Sequence, residues 1–168
     1  DGWPHVDFLS FSGHKIHASK GVGALYLRPG LNLPPLIYGG GQEAKLRSGT
    51  EMLPLIAGFA AACETKLPTR QRDIAEQNRL TALCRELVTE IGGVTLLGAQ
   101  EAPHIVNLAV RGLRSQGLIN ALQDRDVYVS AGSACSKGHR SHVLEAMGAA
   151  PELIDGSIRI SLSDETTE

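Results

Sequence analysis

The stretch Phe8-Leu9-Ser10-Phe11-Ser12-Gly13-His14-Lys15 limits the fold more than any other in the chain. An apolar run from Val6 to Phe11 mixes branched and aromatic residues over about strand length, so it reads as a strand. Gly13 ends it and allows a sharp turn. Lys15 is then set just past the end of what the pattern predicts to be a buried strand. Burying an ammonium is costly unless it is paired or neutralised. One chemical escape is a Schiff base, which needs the lysine as its amine. The plain alternative is a solvated loop lysine beside a serine, and on this stretch alone that reading is favoured, because short motif matches are often accidental.

The rest of the chain reads as alternating elements. Ala24 to Arg28 is a second strand, left through Pro29-Gly30. Gly39 to Thr50 is a long, polar, glycine-rich loop, and such loops are functional or disordered. Leu53 to Leu67 has helical composition, with Pro54 tolerable in a first turn and Pro68 as its stop. Thr69 to Ile91 carries Ile74, Leu80, Leu83, Leu87 and Val88 at nearly helical period and ends in Gly92-Gly93. Strands follow at Val94–Leu97, His104–Val110 and Val127–Val129, with Ser157–Leu162 alternating polar and apolar. Helices fall at Leu113–Leu122, with Ser115 as N-cap, and at Ser141–Met147, closed by Gly148. The pattern gives an α/β chain whose last part is a two-layer α+β module, with a boundary near Gly92.

Composition excludes several classes. A net charge of −2 and 4% aromatics give no cationic footprint for nucleic acid. No apolar run is long enough to span a membrane. Three cysteines, widely spaced, suggest neither a disulfide framework nor a zinc site, so no metal is expected and a reducing, cytoplasmic compartment fits. Beginning at Asp1 and ending in Thr-Thr-Glu, the chain reads as a fragment of a longer one.

Four places carry chemistry. Cys135 lies in Ser130-Ala131-Gly132-Ser133-Ala134-Cys135-Ser136-Lys137-Gly138, which has little to pack and much backbone freedom. Cys63 and Cys84 lie among apolar helix residues and read as small hydrophobes. Lys137, His139 and Arg140 would favour the thiolate of an exposed Cys135, although an incidental surface cysteine fits as well. Arg159 sits between Ile158 and Ile160, so it faces away from the core if they face into it, toward solvent or a cleft; arginine suits a carboxylate, although a solvated strand arginine is the commoner case. Arg47-Ser48-Gly49-Thr50 suits a phosphate or carboxylate, but matches no dinucleotide or P-loop spacing.

These four stretches, in this order, resemble the cysteine desulfurases, of the class V branch of the fold-type I pyridoxal phosphate enzymes. Ser12-Gly13-His14-Lys15 with Lys20-Gly21-Val22-Gly23-Ala24-Leu25-Tyr26 resembles the cofactor-lysine segment. Gly39-Gly40-Gly41-Gln42-Glu43 with Arg47-Ser48-Gly49-Thr50 resembles the glycine-rich loop. Ser130 to Cys135 resembles the active-cysteine loop, and Ser157 to Leu162 the substrate-arginine strand.

The resemblance implies the C-terminal part of a pyridoxal phosphate transferase fold. Residues 1–52 would end the large cofactor-binding domain, 53–91 would be connecting helices, and 92–168 a small α+β domain with the active cysteine. Lys15 would hold pyridoxal 5′-phosphate as a Schiff base and move the substrate's Cα proton; Ser12 and His14 would bind its phosphate. Thr50 would reach the phosphate of the partner subunit in a homodimer. Arg159 would bind the carboxylate of L-cysteine. Cys135 would take the sulfur as a persulfide, leaving L-alanine, and could serve as a transient iron–sulfur ligand. An acceptor such as an iron–sulfur scaffold would receive that sulfur. The family carries about as much chain again before the lysine segment, including the aspartate that pairs with the pyridinium nitrogen. The expectation is therefore that this chain alone binds the cofactor poorly and is inactive. A selenocysteine lyase-type relative and a non-catalytic sulfur-acceptor or dimerisation piece are the alternative readings.

Overall fold

The computed structural model describes residues 5–98, 102–131 and 140–168. The chain forms two compact units, Asp1–Arg70 and Gln71–Glu168. Among the described residues no helix is long and apolar enough to cross a membrane.

In the first unit β1 (Phe8–Ser12) and β2 (Gly23–Leu27) pair antiparallel, from Phe8 opposite Leu27 to Ser12 opposite Gly23. The open end of the hairpin is closed by Arg28, whose amide donates to the Asp7 carbonyl (2.9 Å) and whose guanidinium meets the Asp7 carboxylate at 2.7 Å. Its other end is a 3-10 turn, Gly13–Ile16, closed by His17 in the left-handed region at φ 66°. Gly13 is buried, and its amide donates to the Val22 carbonyl at 2.9 Å. A Cβ there would stand 2.9 Å from that oxygen and 3.0 Å from Val22 Cγ1, so only glycine lets the two ends of the connection meet. The first helix, α1 (Leu53–Lys66), packs against this turn, with Pro54 in its first turn as the sequence predicts.

The pattern predicts a buried first strand, and here the structure differs. Phe8 is 50% exposed and Phe11 39% exposed. The strand's sequence is right for a core, but among the described residues of this unit β2 is its only sheet partner. A strand buries its faces only against further layers.

The second unit opens with α2 (Arg70–Thr89), whose first residue falls in the preceding unit. A three-stranded antiparallel sheet follows in the order β3 (Val94–Leu96), β4 (Ile105–Val110), β5 (Ser157–Ser161). The central strand is the most buried, because it is hydrogen-bonded on both sides. Its alternation sorts two clusters. Val106 and Leu108, with Ile158 of β5, pack with Cys84 and Val88 of α2 and with Leu118, Ile119 and Leu122 of α3 (Ser115–Gln123). Ala109 instead joins Leu97, Leu144 of α4 (His142–Ala146) and Ile154 of α5 (Pro151–Asp155). The stripe that α2 buries runs through Leu80, Thr81, Cys84 and Val88. Leu87, which the helical period counts with them, is exposed.

Two local expectations are corrected. Ser115 is the first helical residue of α3 and not its cap; Arg114 holds the cap position and makes no side-chain capping bond. Val127–Val129 is not a strand, and pairing begins only with an isolated bridge from Ser130 to Arg159. The single-turn α5 was not foreseen, although Pro151 stands at its start. By contrast Ser141 does cap α4, accepting from the Leu144 amide at 3.4 Å.

Candidate functional site

Ser12, His14 and Lys15 lie together at the sharp end of the β1–β2 hairpin. Ser12 is the last strand residue, and His14 and Lys15 follow within the 3-10 turn. All three side chains are exposed, so Lys15 is not the buried ammonium the strand pattern suggests. The turn presents a hydroxyl, an imidazole and an amine within four residues, on a backbone fixed by the buried Gly13.

Thr50 sits at the end of the loop 39–50, just before α1, and is exposed. The glycine run suggests a flexible loop, yet its backbone is tied to itself. The Ser48 amide donates to the Ile37 carbonyl (3.2 Å), and Ser48 Oγ, in a buried residue, donates to the Gly40 carbonyl (3.1 Å). Arg47 donates to the Ser48 carbonyl at 2.9 Å, and the Gly49 amide to Gln42 Oε1 at 3.4 Å. Glu43, Ala44 and Lys45 stand in succession in the left-handed region, at φ 49°, 54° and 67°. Each costs an L-residue about 1–2 kcal/mol, which these cross-links offset. Tyr38, Gly40, Lys45 and Ser48 line an open groove over the loop. The sequence gives no sign of this left-handed turn, since none of its three residues is a glycine.

Arg159 lies at the centre of β5, opposite Asn107 of β4. Its neighbours Ile158 and Ile160 belong to the α2–α3 cluster, so the guanidinium is on the other face of the sheet, as the alternation predicts. Arg159 is half-buried, and its Nε is buried without a hydrogen-bond partner among the described residues. A buried donor of this kind is costly unless an acceptor meets it. Its backbone is fixed from the other side: the Arg159 amide donates to Ser130 (2.6 Å) and the Ser130 amide donates back (3.2 Å).

Cys135 lies outside the described residues, but both flanks of its segment are described. Ser130 is bonded to Arg159 as above. Arg140 forms a bidentate ion pair with Asp155, both hydrogen bonds 2.7 Å long. The Arg140 guanidinium holds the Asp155 carboxyl below the usual carboxylate range. Cys84, the packed helix cysteine, has its thiol pushed up by burial, with Arg85 opposing. Among the described residues no group of three His, Cys, Asp or Glu could hold a metal ion.

The structure thus brings Ser12, His14 and Lys15 together in the first unit and places Arg159 in the second, with Ser130 and Arg140 flanking the segment of Cys135. The sequence analysis missed Asn107, Asp155 and the Ser130 bridge. Asn107 had a signal, as a polar residue inside an apolar alternating strand.

Comparison with known proteins follows the same lines. Residues 4–168 match the family model described as aminotransferase class-V. A cysteine desulfurase of Nostoc sp. is 39% identical over 97% of this chain, and a cysteine desulfurase IscS of Methanosarcina thermophila is 39% identical over 97%. The chain spans 42% of the length of the first and 41% of the second. Among solved structures, a NifS-like protein aligns with TM-score 0.85 at 36% identity, covering 98% of this chain and 43% of its own. A NifS-like protein from Rickettsia africae aligns with TM-score 0.84 at 30% identity, covering 96% of this chain and 43% of its own.

Proposed function

The chain belongs to the aminotransferase class-V family, and from that premise we infer that it is part of a pyridoxal phosphate-dependent cysteine desulfurase. Residues 1–52 then belong to the large domain, 53–91 to connecting helices and 92–168 to the small domain. The observation that carries the reading is the buried Nε of Arg159, without a hydrogen-bond partner among the described residues, beside the anchored flank of the Cys135 segment. A substrate carboxylate is the acceptor it needs.

The donor set fits the cofactor. Ser12, His14 and Thr50 offer two hydroxyls and an imidazole to a phosphate, and Lys15 offers an amine to an aldehyde. When bound, the cofactor supplies an electron sink at the amino-acid Cα. Arg159 orients L-cysteine by its carboxylate. Lys15 moves the proton at Cα. The Cys135 thiolate attacks the substrate sulfur, forming an S–S bond as the Cβ–S bond breaks. The electron pair of that bond stays with the carbon, which takes up a proton to become alanine. Cys135 keeps the sulfur as a persulfide for an acceptor such as an iron–sulfur scaffold. Thr50 acts across a homodimer, and the compartment is the cytoplasm, where thiols stay reduced.

The test is substitution in the complete gene product loaded with pyridoxal phosphate. Cys135→Ser should abolish sulfide release from L-cysteine and keep the cofactor's visible absorption, whereas Lys15→Ala should lose that absorption. Sulfide release undiminished by Cys135→Ser would overturn the assignment. Release of selenide but not sulfide by the unsubstituted protein would favour a selenocysteine lyase.

A further inference from the structure

Arg159 has a cross-strand neighbour that is neither acidic nor apolar. Asn107 stands opposite it across β4 and β5. The hydrogen bonds of the sheet show how closely the two side chains approach. The amide and carbonyl of Arg159 both turn away from β4, to Ser130. The carbonyl of Asn107 turns away from β5 and accepts from the Leu97 amide at 2.8 Å. Asn107 and Arg159 are therefore a non-hydrogen-bonded pair across the ladder. Side chains stand closest in such pairs, with Cα atoms about 4.5 Å apart. Both residues are half-buried, on the sheet face opposite Val106, Leu108 and Ile158.

A guanidinium drawn into a fold ordinarily takes a carboxylate partner. These two strands offer none. On the shared face β4 contributes Ile105, Asn107 and Ala109, and β5 contributes Ser157, Arg159 and Ser161. Arg159 is the one charged residue among them. The nearest acid along the chain, Asp155, is held by Arg140 through two hydrogen bonds of 2.7 Å. Arg159 Nε is buried with no hydrogen-bond partner among the described residues. An aspartate at position 107 would have the shape of asparagine and would close on the guanidinium as a charge-assisted pair. Asparagine confines the guanidinium from one side and leaves its charge available.

We propose that Asn107 is a positioning residue for Arg159, its neutral amide steering the guanidinium without neutralising it, so that the site selects a ligand by its carboxylate. The inference rests on the desulfurase reading for the identity of that ligand, L-cysteine, and not for the pairing of Asn107 with Arg159. It makes the amide at position 107 a determinant of substrate affinity. Two substitutions separate charge from shape. Asn107→Asp keeps the shape and supplies an internal carboxylate that competes with the substrate's. Asn107→Leu keeps the branched shape and removes the polar group.

The experiment uses the complete gene product loaded with pyridoxal phosphate, as Asn107→Asp, Asn107→Leu, Arg159→Gln and N107D/R159Q. In sulfide release, Asn107→Asp should raise KM for L-cysteine roughly tenfold or more, as blocking one charge-assisted contact does, with kcat within about twofold. Asn107→Leu should raise KM less, by roughly two- to fivefold, as loss of a neutral contact does. In hydrogen exchange followed by peptide mapping, Asn107→Asp should slow exchange across residues 157–162 where Arg159 is present, and should not slow it in the Arg159→Gln background. A KM unchanged by Asn107→Asp, an equal rise with Asn107→Leu, or a fall in kcat without a rise in KM would overturn the assignment, the last by placing Asn107 in the fold alone. Exchange that slows equally in both backgrounds, or in neither, would overturn the pairing. If the unsubstituted protein releases no sulfide while Asn107→Asp slows exchange only beside Arg159, the desulfurase reading fails and the pairing stands.

Discussion

Asn107 and Arg159 stand directly opposite one another on β4 and β5, on the face of the sheet turned away from Val106, Leu108 and Ile158. The sheet thus has one face committed to α2 and α3 and another that carries two polar side chains at its middle. The pairing explains how a guanidinium can be half-buried in an apolar module: the strand register sets it there, and the core on the opposite face keeps it there.

Substitution of Arg159 should separate binding from folding. Arg159→Gln removes the charge and Arg159→Lys the planar fork, so both should raise KM for L-cysteine, by roughly tenfold or more given what a charge-assisted hydrogen bond contributes. Thermal stability should hold or rise slightly, because a buried donor without a partner among the described residues is removed. Steady-state kinetics and a melting curve on the same variants decide it. An unchanged KM in both would remove Arg159 from the substrate site.

Much of this fold is legible in the sequence, and the exceptions have physical causes. The bounds of α1 and α2 agree with the expected ones to within two residues, since proline and paired glycines mark their ends. β4 and β5 are legible because alternation and burial coincide there. The exposure of Phe8 and Phe11 was not legible, because a strand's pattern records the core it is suited to and not which neighbours are present. The left-handed Glu43–Lys45 turn was not legible either, because hydrogen bonds from Ser48 and Gly49, several residues on, brace the loop that contains it. Of the site, the turn bearing Lys15 and the orientation of Arg159 could be read locally. The tie from Arg140 to Asp155 spans fifteen residues and leaves no periodic trace.

Gly156 should resist replacement. Its Cβ would meet two backbone carbonyl oxygens within 2.7 Å, and backbone cannot swing aside as a side chain tip can. Gly156→Ala should destabilise the second unit by about 1–3 kcal/mol, as overpacking does elsewhere. Urea titration followed by circular dichroism measures it. Stability equal to the unsubstituted chain would mean that the α5–β5 connection is looser than its geometry implies.

Cys84 should give the protein an alkaline weakness. Burial raises its thiol pKa in the folded chain, so the folded state holds the proton to higher pH than the unfolded state does. Below the ordinary thiol pKa both states are protonated and stability is at its full value. As pH rises through that range the unfolded state ionises first, and stability falls. Cys84→Ala should flatten this decline, at the expense of some packing against the β-sheet cluster. Chemical denaturation across neutral to alkaline pH, for both proteins, reads the difference in slope; parallel curves would show that Cys84 contributes no linkage.

Thr81 should contribute through its hydroxyl as well as its methyl. It is 1% exposed on α2, and its Oγ1 donates to the Pro103 carbonyl at 2.7 Å, joining the helix to the chain just before β4. Valine keeps the shape and removes the donor, leaving the carbonyl oxygen of the half-buried Pro103 without this partner. Thr81→Val should therefore cost about 1–2 kcal/mol. Serine keeps the hydroxyl and loses a methyl, which costs about 1 kcal/mol when buried. The comparison is informative because the two variants fail in different ways: hydrogen exchange at Ile105 and Val106 should quicken more in Thr81→Val than in Thr81→Ser if the hydroxyl secures the start of β4. Equal exchange in the two would assign the stabilisation to packing alone.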